Sequence, residues 1–184
     1  MKWKPKTALV LGSGAVGLLA TALLKLKGLE VTAVATKPPD SLKAKLASSI
    51  GGTYVDSEMT PLSSMENRFD IVFEATGASS VALEAQNLCD ANGVVSFVGI
   101  YRSKVATEDA GRVFTNLVLG NRLYFGSVNA NISYFRQGVL DLVRIRRKWR
   151  GFLEQIITER VAISGWEKAY SPRGEDDVKT VLQF

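Results

Sequence analysis

The chain has 184 residues, 46% of them hydrophobic and 22% charged, with a formal net charge of +5. That is enough apolar material for one core and too little length for two full domains. A single cysteine, Cys89, and the absence of histidine exclude a disulfide framework, and also an ordinary catalytic zinc site, which draws about three ligands from the protein.

Short β-rich runs alternate with helical stretches, the pattern of a parallel sheet covered on both faces. TALVL, from Thr7, is the first strand. A helix follows from Ala15 to Lys27, with Gly28 as its stop. EVTAVA, Glu30 to Ala35, is the second strand. KPPDS breaks the chain, and Ser41 caps a helix through LKAKLASSI that Gly51 and Gly52 end. TYV, Thr53 to Val55, is a short third strand. FDIVFEA, Phe69 to Ala75, is the fourth, followed by a helix through SSVALEAQNLCD. Asn92 and Gly93 then turn the chain into the fifth strand, VVSFVGI. A helix near VFTNLVLG leads to a sixth strand, RLYFGSVN, Arg122 to Asn129, and to a long helix from Ile132 to Arg150. After residue 150 the alternation stops, leaving strand candidates in QIITERVAI and DDVKTVLQF. The expected architecture is an α/β, doubly wound, six-stranded parallel sheet of order 3-2-1-4-5-6 with a short C-terminal extension.

The longest strongly apolar segment, Ala15 to Leu26, falls short of the roughly 20 residues needed to span a bilayer, and Lys25 and Lys27 interrupt its end. Lys2, Lys4 and Lys6 lead straight into a strand, not into a cleavable apolar region, so a cytoplasmic location and no membrane partner are expected. Much of the positive charge sits in RIRRKWR, Arg144 to Arg150. At helical spacing this is a solvated face, and no nucleic-acid module accompanies it.

GSGAVG, residues 12–17, matches G-x-G-x-x-G in full. Alone the pattern is weak, because turns need glycine. Here it follows an apolar strand and opens a helix within a βαβ unit. Gly12 then permits the tight turn, Gly14 lets backbone approach a pyrophosphate, and Gly17 lets the helix pack on the sheet. The phosphates would meet the free N–H groups at the helix start, around Ser13, Ala15 and Val16. NAD-specific domains place an acid at the tip of the second strand; this chain has Ala35, Thr36 and Lys37 there. A hydroxyl and an ammonium suit a 2′-phosphate, so NADP is favoured and NAD stays possible.

The segments WKPKTALVLGSGAVGLL, FDIVFEATGA, GVVSFVGI, NRLYFGSVNAN and ITERVAISGWEKAY resemble, in joint order, the cofactor-binding half of archaeal-type glucose dehydrogenases. These belong to the medium-chain zinc-dependent alcohol dehydrogenase superfamily. The resemblance implies a Rossmann-type dinucleotide-binding domain over residues 1–150 and an extension over residues 151–184 that returns toward a catalytic domain. It implies hydride transfer from the C1 of an aldose to the nicotinamide, with zinc held only in that other domain. Position by position, it implies that residues 12–17 hold the pyrophosphate and that Thr36 and Lys37 meet the 2′-phosphate. Ala75, Thr76 and Gly77 would line the ribose side. Val98, Gly99 and Ile100, with Val128 and Asn129, would flank the nicotinamide. The tip of the second strand departs from the family, whose members often carry arginine there.

The resemblance begins at Trp3, so the expected zinc and substrate domain lies outside this sequence, either as the lost half of an excised domain or in a naturally shortened protein. The resemblance also implies a homodimer, since the sixth strand is commonly a dimer-forming sheet edge in that superfamily, and RLYFGSVN has the alternation and aromatic content to pair with a symmetry mate. The alternative is a stand-alone regulatory dinucleotide-binding module without catalysis, which would more typically keep an acid after the second strand. A short-chain dehydrogenase is excluded by its Tyr-x-x-x-Lys pair: Lys104 stands one position too close to Tyr101. Cys89 is assigned to the core or a helix surface, not to a nucleophile or ligand, since no histidine exists to activate it.

Overall fold

The structure, a computed structural model, describes residues 2–102, 110–171 and 174–184. Met1 and Lys104 lie outside them. At the centre is β1 (Thr7–Leu11), whose last four residues are buried. Alternate side chains of a strand point to opposite faces, and both faces here are apolar. Ala8 and Val10 pack with Leu29 and Val31 on one face, whereas Leu9 and Leu11 join Val34, Val72, Ala85 and Val95 on the other.

The glycine-rich turn leads into α1 (Ala15–Leu26), which buries Gly17, Leu18, Thr21 and Ala22 on the sheet. Gly28, at a φ of 90°, ends it, and β2 (Glu30–Ala35) follows. Ser41 caps α2 (Leu42–Ser49) by accepting a hydrogen bond from Ala44 N at 3.3 Å. Then come β3 (Thr53–Asp56), β4 (Phe69–Glu74), α3 (Ser79–Asn87) and β5 (Cys89–Phe97). After α4 (Ala110–Leu119) and β6 (Leu123–Gly126), Asn131 caps the long α5 (Ile132–Lys148). All pairs in the main sheet are parallel, and its order is β3-β2-β1-β4-β5-β6, the expected one. The chain thus forms a Rossmann-type doubly wound sheet.

Several boundaries differ from those the sequence implies. The helix through SSVALEAQNLCD stops at Asn87, because Leu88 O accepts from Phe69 N at 2.9 Å and Cys89 pairs with Phe69. The ladder then resumes at Ile71 and Val94, so Asp90–Asn92 form an exposed bulge, with Asn92 at a φ of 59°. At the other end, β5 and β6 stop at Phe97 and Gly126, which leaves Val98–Ile100 and Ser127–Asn129 as turns.

Beyond α5 a short helix, α6 (Phe152–Ile156), which the sequence reading did not anticipate, buries Phe152 and Ile156 against Leu46 and Ile50. Then β7 (Ile157–Ala162) and β8 (Lys179–Gln183) form a separate parallel pair around a 3-10 segment, Ile163–Tyr170. The basic end of α5 is partly paired: Arg144 meets Asp141 at 2.9 Å and Arg146 meets Glu154 at 2.7 Å. Cations there also complement the negative helix end. No helix among the described residues is long and apolar enough to cross a membrane.

Candidate functional site

In a parallel sheet all the carboxyl ends lie along one edge, and the strand order reverses direction between β1 and β4. At that switch point Gly12 leaves β1 with a φ of 105°, and its N–H donates to Val34 O at 2.8 Å. A Cβ on Gly12 would meet the Ala75 carbonyl and Thr76 Cγ2 at 3.3 Å. One on Gly17 would run into the Gly12 carbonyl, 2.8 Å from its carbon. Toward the sheet, then, the turn is closed.

Outward it is open, since a Cβ on Gly14 would meet nothing within 4 Å. The first helical bond of α1 runs from Leu18 N to Gly14 O at 2.9 Å, and no side chain caps the helix. The amides of Ala15, Val16 and Gly17 are therefore the orphan donors of an uncapped N-terminus, where the helix dipole favours negative charge.

On one flank, Ser57 N donates to Ala35 O at 2.9 Å and fixes the tip of β2. Tyr54 donates its hydroxyl to Lys37 O at 2.7 Å. Burial, with Asp56 nearby, raises the Tyr54 pKa, so the phenol stays protonated and can donate. Between these turns lies a cleft of about 270 Å³ that gathers Gly12, Ser13, Thr36, Lys37 and Thr76. Leu62 and Val81 form apolar walls, and Lys43 and Ser57 complete the polar lining.

On the other flank, Ala75 N donates to Leu11 O at 2.9 Å. Glu74, fully buried, accepts from Thr76 N at 2.7 Å and from the Thr76 hydroxyl through Oε1, and from the Tyr101 hydroxyl through Oε2. Burial first, then the bond to Glu74, pushes the Tyr101 pKa far up. This network ties the turn after β4 to the turn after β5. Gly77 and Gly99 approach so closely that a Cβ on Gly99 would stand 2.7 Å from Gly77 N. Val98 N donates to Glu74 O at 3.0 Å and Ser127 N to Phe97 O at 2.9 Å, which brings the last two turns alongside. There Ile100 and Val128 are 74% and 96% exposed, and Asn129 Oδ1 accepts from Ala130 N at 2.8 Å.

The structure thus brings every sequence-designated position to one edge, in two groups. Gly12, Ser13, Thr36, Lys37 and Thr76 share the cleft; Gly14–Gly17, Ala75, Gly77, Val98–Ile100, Val128 and Asn129 lie on the turns around the helix terminus and along the edge. Lys43, Ser57, Glu74 and Tyr101 escaped the sequence reading. A lysine two residues after the Ser41 cap was a usable signal for Lys43. The Tyr101–Glu74 contact is tertiary and left none.

Among the described residues no group of three or more His, Cys, Asp or Glu side chains could hold a metal ion. Cys89 is fully buried, and burial pushes its thiol up to about 11, in keeping with a core role.

The glucose dehydrogenase C-terminus family model matches residues 1–184. The chain is 42% identical over 183 residues to glucose 1-dehydrogenase 1 of Caldivirga maquilingensis, covering 100% of this chain and 51% of that protein. It is 45% identical over 182 residues to glucose 1-dehydrogenase 2 of Vulcanisaeta moutnovskia, covering 99% and 51%. The chain spans about half the length of the curated relatives it matches. Glucose dehydrogenase of Haloferax mediterranei, solved in complex with NADP, Zn and gluconolactone, superposes with a TM-score of 0.91 at 28% identity, covering 100% of this chain and 52% of that one. With its full-length match and its six-stranded sheet, this chain belongs to the glucose dehydrogenase C-terminus family.

Proposed function

We propose that this chain is the dinucleotide-binding half of an aldose 1-dehydrogenase, with residues 1–150 binding NADP and residues 151–184 returning toward a zinc-bearing catalytic half. The observation that carries the reading is the alignment, along one sheet edge, of an uncapped helix start and the turns after β2, β4, β5 and β6. The family relation and the NADP complex of the Haloferax enzyme support it.

The residues present fit such a ligand. Gly14 leaves room for a pyrophosphate, whose oxygens would accept from the amides of Ala15, Val16 and Gly17. Leu62 and Val81 suit an adenine, and Lys37 and Lys43 carry the charge that a 2′-phosphate needs. Ala75, Thr76 and Gly77 would border the ribose of the nicotinamide. Ile100 and Val128 offer apolar surface to the nicotinamide ring, with Val98, Gly99 and Asn129 beside it. When bound, the dinucleotide supplies the hydride acceptor for the C1 of the sugar. This chain's own work is binding, orientation and the exclusion of water from one face of the ring.

A two-fold dimer through the β6 edge completes the proposal, since Leu123 and Phe125 stand exposed on that edge. Calorimetric titration of the purified chain tests the reading. NADP binding is expected; aldose oxidation by the chain alone would refute the division of labour.

A further inference from the structure

Lys37, the cation at the tip of β2, is not free. Its Nζ lies 2.9 Å from Glu175 Oε1, a residue 138 positions away in the loop before β8. That loop is anchored rather than draped. Asp177 N donates to Gly174 O at 3.1 Å, Val178 N donates to Thr158 Oγ1 at 3.0 Å, and Asp176 Oδ1 accepts from Leu42 N, at the start of α2, at 3.1 Å. The C-terminal extension therefore delivers a carboxylate to the mouth of the cleft where Lys37 and Lys43 stand. The Lys37 side chain is 29% exposed and that of Glu175 82%, so the acid is the member free to swing away.

We infer that Glu175 sets cofactor preference by competing with the 2′-phosphate of NADP for Lys37. The inference rests on the nucleotide-binding reading above and deepens it. An ammonium engaged by a carboxylate cannot give its full attraction to a second anion, and the two anions repel each other across it. NADP must displace Glu175 to reach Lys37. NAD, which brings no charge to that position, leaves the pair intact. The extension thereby narrows the preference for NADP that Lys37 and Lys43 would otherwise impose, supplying from the far end of the chain the acid that β2 lacks.

The test is titration of the 184-residue chain with NADP and with NAD, repeated with Glu175→Gln, Lys37→Met and the double variant. Glu175 is exposed and Lys37 half-buried, so an unchanged denaturant midpoint is read alongside each titration. Glu175→Gln is expected to tighten NADP by about two- to five-fold, the scale of an exposed ion pair, and to leave NAD unchanged. In the Lys37→Met background, where only the repulsion between the two anions is left, the same change is expected to have a smaller effect on NADP than in the unaltered chain. An unchanged NADP-to-NAD ratio in Glu175→Gln overturns the inference while leaving the nucleotide-binding reading standing. So does a loss of NAD affinity alone, which would make Glu175 a ribose acceptor instead. Failure of the unaltered chain to bind either dinucleotide overturns both.

Discussion

Any Cβ on Gly17 would stand 2.8 Å from the carbonyl carbon of Gly12 and nearer still to its oxygen. This contact gives the first turn a structural role beside the binding role proposed for it, because the helix can reach the sheet only if position 17 is bare. Gly14 is the opposite case, with nothing within 4 Å of its absent side chain. Its φ of −71° suits any residue. The two positions therefore separate stability from binding. Gly17→Ala is expected to destabilise the fold by about 1–3 kcal/mol, the range for forced overpacking, as read from the denaturant midpoint. Gly14→Val is expected to hold its midpoint and lose about tenfold or more in NADP affinity, about 1.4 kcal/mol. The reverse assignment would contradict the geometry.

Glu74 and Tyr101 make the second test. Removing the phenol hydroxyl in Tyr101→Phe strips one donor from a carboxylate with no exposure to water. The expected cost is about 1–3 kcal/mol, seen as a lowered unfolding midpoint. A midpoint equal to that of the unaltered chain would show that the hydroxyl does not satisfy Glu74 in solution.

Asp70 gives a pH-dependent prediction. Burial alone would raise its carboxyl, but the backbone N–H groups of Lys6 and Thr7, at 2.7 and 2.9 Å, and the Thr7 hydroxyl, at 3.1 Å, outweigh burial and hold it below the ordinary carboxylate range. A depressed folded value means a contribution present above the unfolded value, near pH 4, and lost as pH falls through the folded one. Asp70→Asn is therefore expected to be less stable than the unaltered chain at neutral pH. The gap should narrow as the solution is acidified below about pH 4. A gap that does not change on acidification would remove Asp70 from the acid response.

The proposed dimer rests on the β6 edge. Light scattering is expected to give twice the 20.0 kDa of one chain. Phe125→Lys, which puts a charge on that edge, is expected to return a single-chain mass without changing NADP affinity. A single-chain mass before any substitution would remove the dimer and leave the cradle untouched.

Much of this architecture was legible in the sequence for a physical reason. Strands such as β1 and β4 are buried near the middle of a parallel sheet and read as near-continuous apolar runs, and the glycine spacing marks the one place where helix and turn must touch. Legibility failed where a feature is short or tertiary. Asp90, Ala91 and Asn92 are exposed in the bulge of β5 and hide a strand that begins at Cys89. The five residues of α6 are too few to show a helical period, and their burial comes from α2, far away in sequence. The cleft residues Gly12, Thr36 and Thr76 could be designated because each follows an apolar run. Lys43 belongs to a helix, and Glu175 reaches Lys37 from the extension. Neither is marked by what stands next to it in the chain.

The most direct examination of the central claim is a crystal structure of this chain grown with NADP. It should show the pyrophosphate on the amides of Ala15, Val16 and Gly17 and the 2′-phosphate between Lys37 and Lys43, with Glu175 turned away. A cofactor bound elsewhere, or an empty carboxyl edge at saturating NADP, would contradict it.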